Sequence, residues 1–254
     1  MSASVIIRGL DFSTSDASDY TITRAGAETI TLGSTEAINA ANTSGVNTIN
    51  VPILLNLEGN QSFTQASGGT LLLGAAVTSV FSGVELQFNG SGTFKLGAAD
   101  VLPSNRTIVL AGGSLVTTGV ATVANPDFAG PLKLTSSSTI DNGSGLSFTG
   151  SSSLAWPGVL SIWNWTSGTI RFGTDATGLM STQLSRIMAY SGAGSGSVSA
   201  VKLNDSGYLV TDSSYLLPAV TPVPEPGAVL GGLLLLGGIG WRERHHILRM
   251  RRPC

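Results

Sequence analysis

The chain is poor in the residues that carry out most enzyme chemistry. Its single cysteine is the terminal residue, Cys254, and its two histidines are the adjacent His245 and His246. An intramolecular disulfide and a cysteine-based metal cluster are therefore excluded, as are a buried thiol nucleophile, a Ser-His-Asp triad and a histidine zinc site in the body. Charge is scarce too: Asp, Glu, Lys and Arg make up 11% of the residues, against ~25% in an ordinary soluble domain. What fills the space is 33 Gly, 33 Ser and 26 Thr among 254 residues. These are weak helix formers, so long helices are not expected in the body.

Hydrophobic residues still reach 42%, enough to bury a sizeable core in one elongated domain or two small ones. The few charges are unevenly spread. From Met1 to Val220 there are eight basic against thirteen acidic residues, a net of −5, whereas Arg242 to Cys254 holds five against one, a net of +4. A weakly acidic body lacks the basic face that displaces counterions from nucleic acid, so nucleic acid is not an expected partner.

Between Thr21 and Val210 short alternating runs are punctuated by Gly, Asn and Ser. One phrase recurs: Gly, a small residue or Pro, an apolar residue, any residue, then usually another apolar one. It stands at Gly69-Thr70-Leu71-Leu72-Leu73, Gly92-Thr93-Phe94-Lys95-Leu96, Gly113-Ser114-Leu115-Val116-Thr117, Gly130-Pro131-Leu132-Lys133-Leu134, Gly158-Val159-Leu160-Ser161-Ile162 and Gly168-Thr169-Ile170-Arg171-Phe172, with Leu146-Ser147-Phe148 as a degenerate copy. The anchors Leu71, Phe94, Leu115 and Leu132 are 23, 21 and 17 residues apart, close to one coil of a parallel β-solenoid. Each coil would turn alternate apolar residues inward, show Thr and Ser to solvent, and use Gly or Asn at corners. Later anchors tighten to 14 and 10 residues, which keeps an antiparallel sandwich open as the rival. Leu179 to Tyr190 places its apolar residues largely at helical spacing, with Ser181 as N-cap, and Val198–Leu203 with Tyr208–Val210 reads as a hairpin around Asn204-Asp205-Ser206-Gly207. Together they are expected to cap an end of the solenoid whose strand edges would otherwise lie open.

The C-terminal part has a different character. Pro222, Pro224 and Pro226 alternate and favour extended polyproline geometry. Gly227 to Trp241 then runs without a charge and holds five leucines and six glycines. As a helix it would span about 22 Å at ~1.5 Å per residue, short against a ~30 Å hydrocarbon core. Trp241 suits the interface, and Arg242 and Arg244 can snorkel, so a thinned bilayer would accommodate it. The arginines would hold the tail in the cytoplasm and place the body across the membrane. A buried soluble helix is the competing reading, weakened by the glycine content.

Pro224-Glu225-Pro226, an apolar run and an Arg-rich terminus, in that order, resemble the PEP-CTERM sorting signal of Gram-negative bacteria. The resemblance implies an exosortase, a membrane-embedded cysteine protease-like enzyme, as partner; it cuts near the motif and passes the body to the cell surface or matrix. Pro224, Glu225 and Pro226 are then substrate, Gly227, Leu233, Leu236 and Trp241 belong to the membrane segment, and Arg242, Arg244, Arg249, Arg251 and Arg252 form the cytoplasmic tail. The first thirty residues show no basic n-region followed by an apolar stretch, so Met1 is expected to be internal to a longer product. Segments such as Asn47–Ile53, Lys95–Pro103 and Ala111–Leu115 resemble autotransporter-associated β-strand repeats. The run from Ser138 through Trp165 to Gly173 and the following helix is similar to the module that precedes the sorting signal in such proteins.

The expected fold is thus all-β: a right-handed parallel β-solenoid with a small C-terminal cap containing one short helix, then a single transmembrane helix. Its expected parts are N-terminal coils over 1–66, the repeat body over 67–165, a cap over 166–217, a Pro-rich linker over 218–226, the membrane helix over 227–241 and the basic tail over 242–254. Trp156, Trp163 and Trp165 could stack on sugar rings, but Trp163 and Trp165 on one strand face read better as packed core. Asp11, Asp16 and Asp19 lack EF-hand order and read as turn residues, so no metal or other cofactor is expected. Asn-x-Ser/Thr triplets such as Asn142-Gly143-Ser144 follow from the composition. The leading expectation is a non-enzymatic surface or matrix protein, with extracellular polysaccharide a candidate partner. A β-helical polysaccharide lyase and a membrane-anchored carbohydrate-binding module are the alternatives.

Overall fold

The computed structural model describes residues 5–12, 19–117, 126–141 and 145–214. They lie within one unit, Met1–Leu216; the other, Leu217–Cys254, is outside the described residues. The described chain is a parallel β-solenoid of about seven turns with almost no helix.

Each turn contributes to three faces. The first four turns run β1 (Val5–Ile7), β2 (Leu10–Phe12), β3 (Thr21–Ile22); β4 (Ile30–Leu32), β5 (Glu36–Ala40), β6 (Val46–Ile49); β7 (Ile53–Leu55), β8 (Gln61–Gln65), β9 (Thr70–Leu73); and β10 (Val77–Ser79), β11 (Glu85–Asn89), β12 (Thr93–Leu96). The path continues through β13 (Thr107–Ala111), β14 (Ser114–Val116), β15 (Asp127–Ala129), β16 (Leu132–Leu134), β17 (Ser138–Asp141), β18 (Leu146–Phe148), β19 (Leu160–Trp163), β20 (Ile170–Phe172), α1 (Ser181–Leu184) and β21 (Ile187–Tyr190). Three short strands close it: β22 (Val198–Ser199), β23 (Val201–Leu203) and β24 (Leu209–Thr211). The second face stacks β2, β5, β8, β11, β13 and β16 in parallel, and the third stacks β3, β6, β9, β12, β14, β17, β19 and β21. The first face consists of two sheets, β1-β4-β7-β10 and β15-β18-β20.

Two-residue alternation puts one aliphatic or aromatic side chain from each turn over that of the next. Ile38 pairs with Phe63, Phe63 with Phe88, Phe88 with Leu110 and Leu110 with Leu134 on the second face, all buried. Leu71, Phe94, Leu115, Ile140, Ile162 and Ala189 do the same on the third. Each buried Leu, Ile or Phe contributes ~1.5–3 kcal/mol. The rings of Phe88 and Phe94 meet edge to face at 4.9 Å between centroids across the interior, a favoured aromatic geometry. At the corner between these faces the buried Asn42 accepts from Asn47 Nδ2 (2.8 Å) and Gln65 Nε2 (3.1 Å), so the polar corner is tied across turns.

The coil period read from the anchors holds, but the anchors do not lie on one face. Leu71, Phe94 and Leu115 share the third face, whereas Leu132 belongs to the second and Leu146 and Ile170 to the first. Measured along one face, the step from Leu115 is to Ile140, 25 residues on. The shorter spacings that kept a sandwich open are steps between different faces: Leu132 to Leu146 runs from the second face to the first face of the next turn, and Leu160 to Ile170 from the third to the first.

The expected helix from Leu179 to Tyr190 is cut to α1, and its N-cap is Met180 rather than Ser181. Beyond it Ile187 and Ala189 are buried and Met188 is exposed, so β21 extends the third face on β19. Apolar residues at 184, 187 and 188 suit either period over so short a run, and the open edge of β19 decides the outcome. The expected hairpin is present as β23 and β24, antiparallel, with Asn204 Oδ1 accepting from Ser206 N and Tyr208 N in the turn. β22 runs antiparallel to β21 and ends the third face.

Candidate functional site

Every residue expected to take part in sorting or membrane contact lies outside the described residues: Pro224, Glu225 and Pro226, Gly227, Leu233, Leu236 and Trp241, and the arginines 242, 244, 249, 251 and 252. No described helix is long and apolar enough to cross a membrane. The other candidates can be placed. Trp156 is buried, and its Nε1 donates to the Leu132 carbonyl at 2.9 Å, capping the second face. Trp163 and Trp165 do not share a strand face as expected. Asn164 between them has φ +51°, which ends the extended alternation, so Trp165 packs against the core while Trp163 lies outside beside Gly194. Asp11 accepts from Asn39 Nδ2 and Asp19 from the Val46 amide, while Asp16 is outside the described residues. Among the described residues no group of three or more His, Cys, Asp or Glu stands close enough to hold a metal ion.

The first face carries two features that sequence reading missed. At the fifth turn, residues 99–103 form no named strand, and β10 and β15 are not neighbours in a sheet. Asp127 fills the break: its two carboxylate oxygens accept from Val101 N (3.1 Å) and Leu102 N (3.0 Å), while Val77 N donates to Val101 O and Gly130 N to Pro103 O. Asp127 is fully buried. Burial pushes its carboxyl up to about 6, outweighing the two amide donors that favour the ionised form, with Asp100 adding a smaller upward push. A second buried ionisable side chain is Arg106. Arg106 donates to the carbonyls of Leu57 (3.0 Å), Gly59 and Glu85 and to Ser79 Oγ (2.6 Å), joining residues of three turns without a carboxylate partner, and burial pushes its guanidinium below its ordinary value.

The second feature is a cleft of about 430 Å³ on the outer surface over β15, β18 and β20. Register sets one row of it: Phe128, Ser147 and Arg171 are direct neighbours on three successive turns, alternating with the buried Ala129, Phe148 and Phe172, with Phe128 exposed, Arg171 half-buried and Ser147 nearly covered between them. Phe128 is 49% exposed. A hollow of about 200 Å³ on the other side of this row is edged by Tyr208. Arg171 is held in place: its Nε donates to Ser206 O at 2.9 Å, and its guanidinium carbon lies 5.5 Å from the Tyr208 ring centre. No bond to a described residue engages its two terminal nitrogens. Gly178 lines the cleft where no larger residue fits: a Cβ on it would lie 1.9 Å from the Phe172 carbonyl oxygen. Asp175 at the rim is tied to Thr177 N and Oγ1 (2.7 and 2.6 Å), bonds that hold its carboxyl below the usual range.

Phe128, Arg171 and Tyr208 come from three separate segments, and no spacing in the sequence marks them as a group. Only the register of the stacked turns brings them together. The described chain is thus a β-solenoid whose first face carries an aromatic-edged cleft with a cation in it. No protein-family model, curated protein or solved structure matches the chain.

Proposed function

We propose that this chain is an exported bacterial surface or extracellular-matrix protein, structural or adhesive, sorted and cut through its C-terminal Pro-Glu-Pro signal by an exosortase. The carrying observation is a repetitive β-solenoid body with hydroxyl-rich faces, joined in one sequence to the tripartite tail. During export the apolar segment from Gly227 to Trp241 spans the inner membrane, with the arginine tail in the cytoplasm and the body on the periplasmic side. Release then leaves the body at the cell surface.

Three of the eight cations of the body are taken up within the fold, which favours a non-enzymatic role over a lyase. Lys133 Nζ is committed to Glu85 Oε1 at 2.6 Å, Lys202 to Asp212 at 3.5 Å, and Arg106 is buried. Expressed in a host that encodes an exosortase, the surface-borne protein should end near Pro224-Glu225-Pro226 by mass spectrometry, and a host lacking the enzyme should retain the full tail in its membrane fraction. An intact arginine tail on surface protein overturns processing; release of unsaturated uronides from polysaccharide overturns the non-enzymatic reading.

A further inference from the structure

We infer that the cleft over β15, β18 and β20 binds a uronic acid unit of an acidic polysaccharide, with Arg171 taking the carboxylate and Phe128 stacking on the sugar ring. This deepens the proposed reading of the body as an adhesive scaffold and rests on it, but it needs neither the tail nor its cleavage.

Three observations carry it. Phe128 is a large aromatic ring half open to water in a cleft otherwise lined mostly by Ser, Thr and Gly, with Arg171 and Asp175 as its charged members; isolated rings at a concave site supply a flat apolar shelf for a ligand with an apolar side. A pyranose has such a face of C–H groups and a rim of hydroxyls. The hydroxyls of Ser147 and Thr149, also lining the cleft, are matched to that rim as donors and acceptors.

Arg171 fixes the charge of the ligand. Its Nε is occupied by Ser206 O, its flat side by Tyr208, and the four N–H bonds of the two terminal nitrogens are left for an incoming group. A guanidinium held on one edge presents the other as a ready fork for a carboxylate, with little side-chain freedom left to lose. Asp175 on the rim makes no ion pair with it, the described ion pairs being Lys133–Glu85 and Lys202–Asp212. An extended peptide would bind a solenoid best by adding a strand to a sheet edge. The cleft offers little of such an edge: β18 is paired on both sides, β20 is covered by the bridge to Tyr208, and the outer side of β15 faces residues 99–103, which bond to Asp127 and Gly130.

The test is affinity electrophoresis and calorimetry of the full chain against polygalacturonate, with dextran as a neutral glycan and poly-L-glutamate as a polyanion without rings. Polygalacturonate should bind. Arg171→Gln should weaken it tenfold or more, Phe128→Ala several-fold, and Phe128→Tyr should restore binding. Lys202→Gln, a cation outside the cleft, should leave affinity within twofold. Both cleft side chains are solvent-facing, and a circular-dichroism melt of each variant verifies the fold. Equal affinity of the wild type and Arg171→Gln overturns the assignment, as do equal binding of dextran and tighter binding of poly-L-glutamate. If Lys202→Gln loses as much as Arg171→Gln, the attraction is diffuse charge and the site is refuted. A full-length tail at the surface with intact polygalacturonate binding would remove the sorting reading and leave the cleft; the reverse result would remove only the cleft.

Discussion

Asp127 makes the stability of this protein respond to pH in the direction opposite to ordinary acid denaturation. Its carboxyl titrates near 3.8 when unfolded and at about 6 in the fold, because burial outweighs the two amide bonds from Val101 and Leu102. The folded state therefore holds the proton more tightly. The stabilisation is complete below the unfolded value, declines as pH rises, and is gone above about 6. The whole difference is about 3 kcal/mol, of which about 2 kcal/mol falls between pH 4.5 and 7. Glu85, Asp175 and Asp212 have carboxyls held below their ordinary values, so the stability they add starts to fade only at the acid edge of this window and is mostly lost beneath it. Urea unfolding of the full chain at half-unit steps from pH 4.5 to 7 should show the midpoint falling at constant slope. Asp127→Asn keeps one acceptor for one of the two amides and cannot ionise. It should cost about 1 kcal/mol at the acid end, where it loses one hydrogen bond, and overtake the wild type near neutrality. A wild-type midpoint that is flat or rises across the window, or the same slope in Asp127→Asn, refutes the reasoning.

Arg106→Ala removes the group that satisfies the Leu57 and Glu85 carbonyls and leaves a buried space; unfolding should become easier by about 2–4 kcal/mol in urea titrations, with the loss at least halved in Arg106→Lys. Gly130→Ala would set a Cβ 1.8 Å from the Arg106 carbonyl oxygen of the adjoining turn; separating the two turns should cost about 3 kcal/mol or more and lower the melting temperature by several degrees.

The architecture was legible because its signal repeats. Apolar anchors separated by twenty-odd residues with hydroxyl residues between them fit stacked coils, and only the shorter later spacings left room for a sandwich. The assignment of anchors to faces was not legible, since the same Gly-led phrase opens strands on all three faces, as Leu115, Leu132 and Ile170 show. Helical spacing over Leu179–Tyr190 misled for a related reason: a four-residue strand and one helical turn can share apolar positions, and hydrogen-bonding demand from β19 settles which forms. Trp163 and Trp165 were separated by one positive φ at Asn164, a backbone event that a polar residue permits but does not announce. Asp127 and Arg171 were invisible as functional groups because their meaning depends on an adjacent turn: one completes a missing strand, the other is oriented by Tyr208 and Ser206.

Considered mechanically, the body is a column on three rails. The third-face rail runs unbroken from β3 to β21 and the second from β2 to β16, but the first is spliced at the fifth turn, where one carboxylate takes the place of a strand's ladder. Bending is resisted least where a rail is spliced, so compliance concentrates at that turn, next to the cleft over β15. A load carried by a polymer held at the cleft would reach the column beside its softest joint, and the protonation of one side chain would set how far that joint yields.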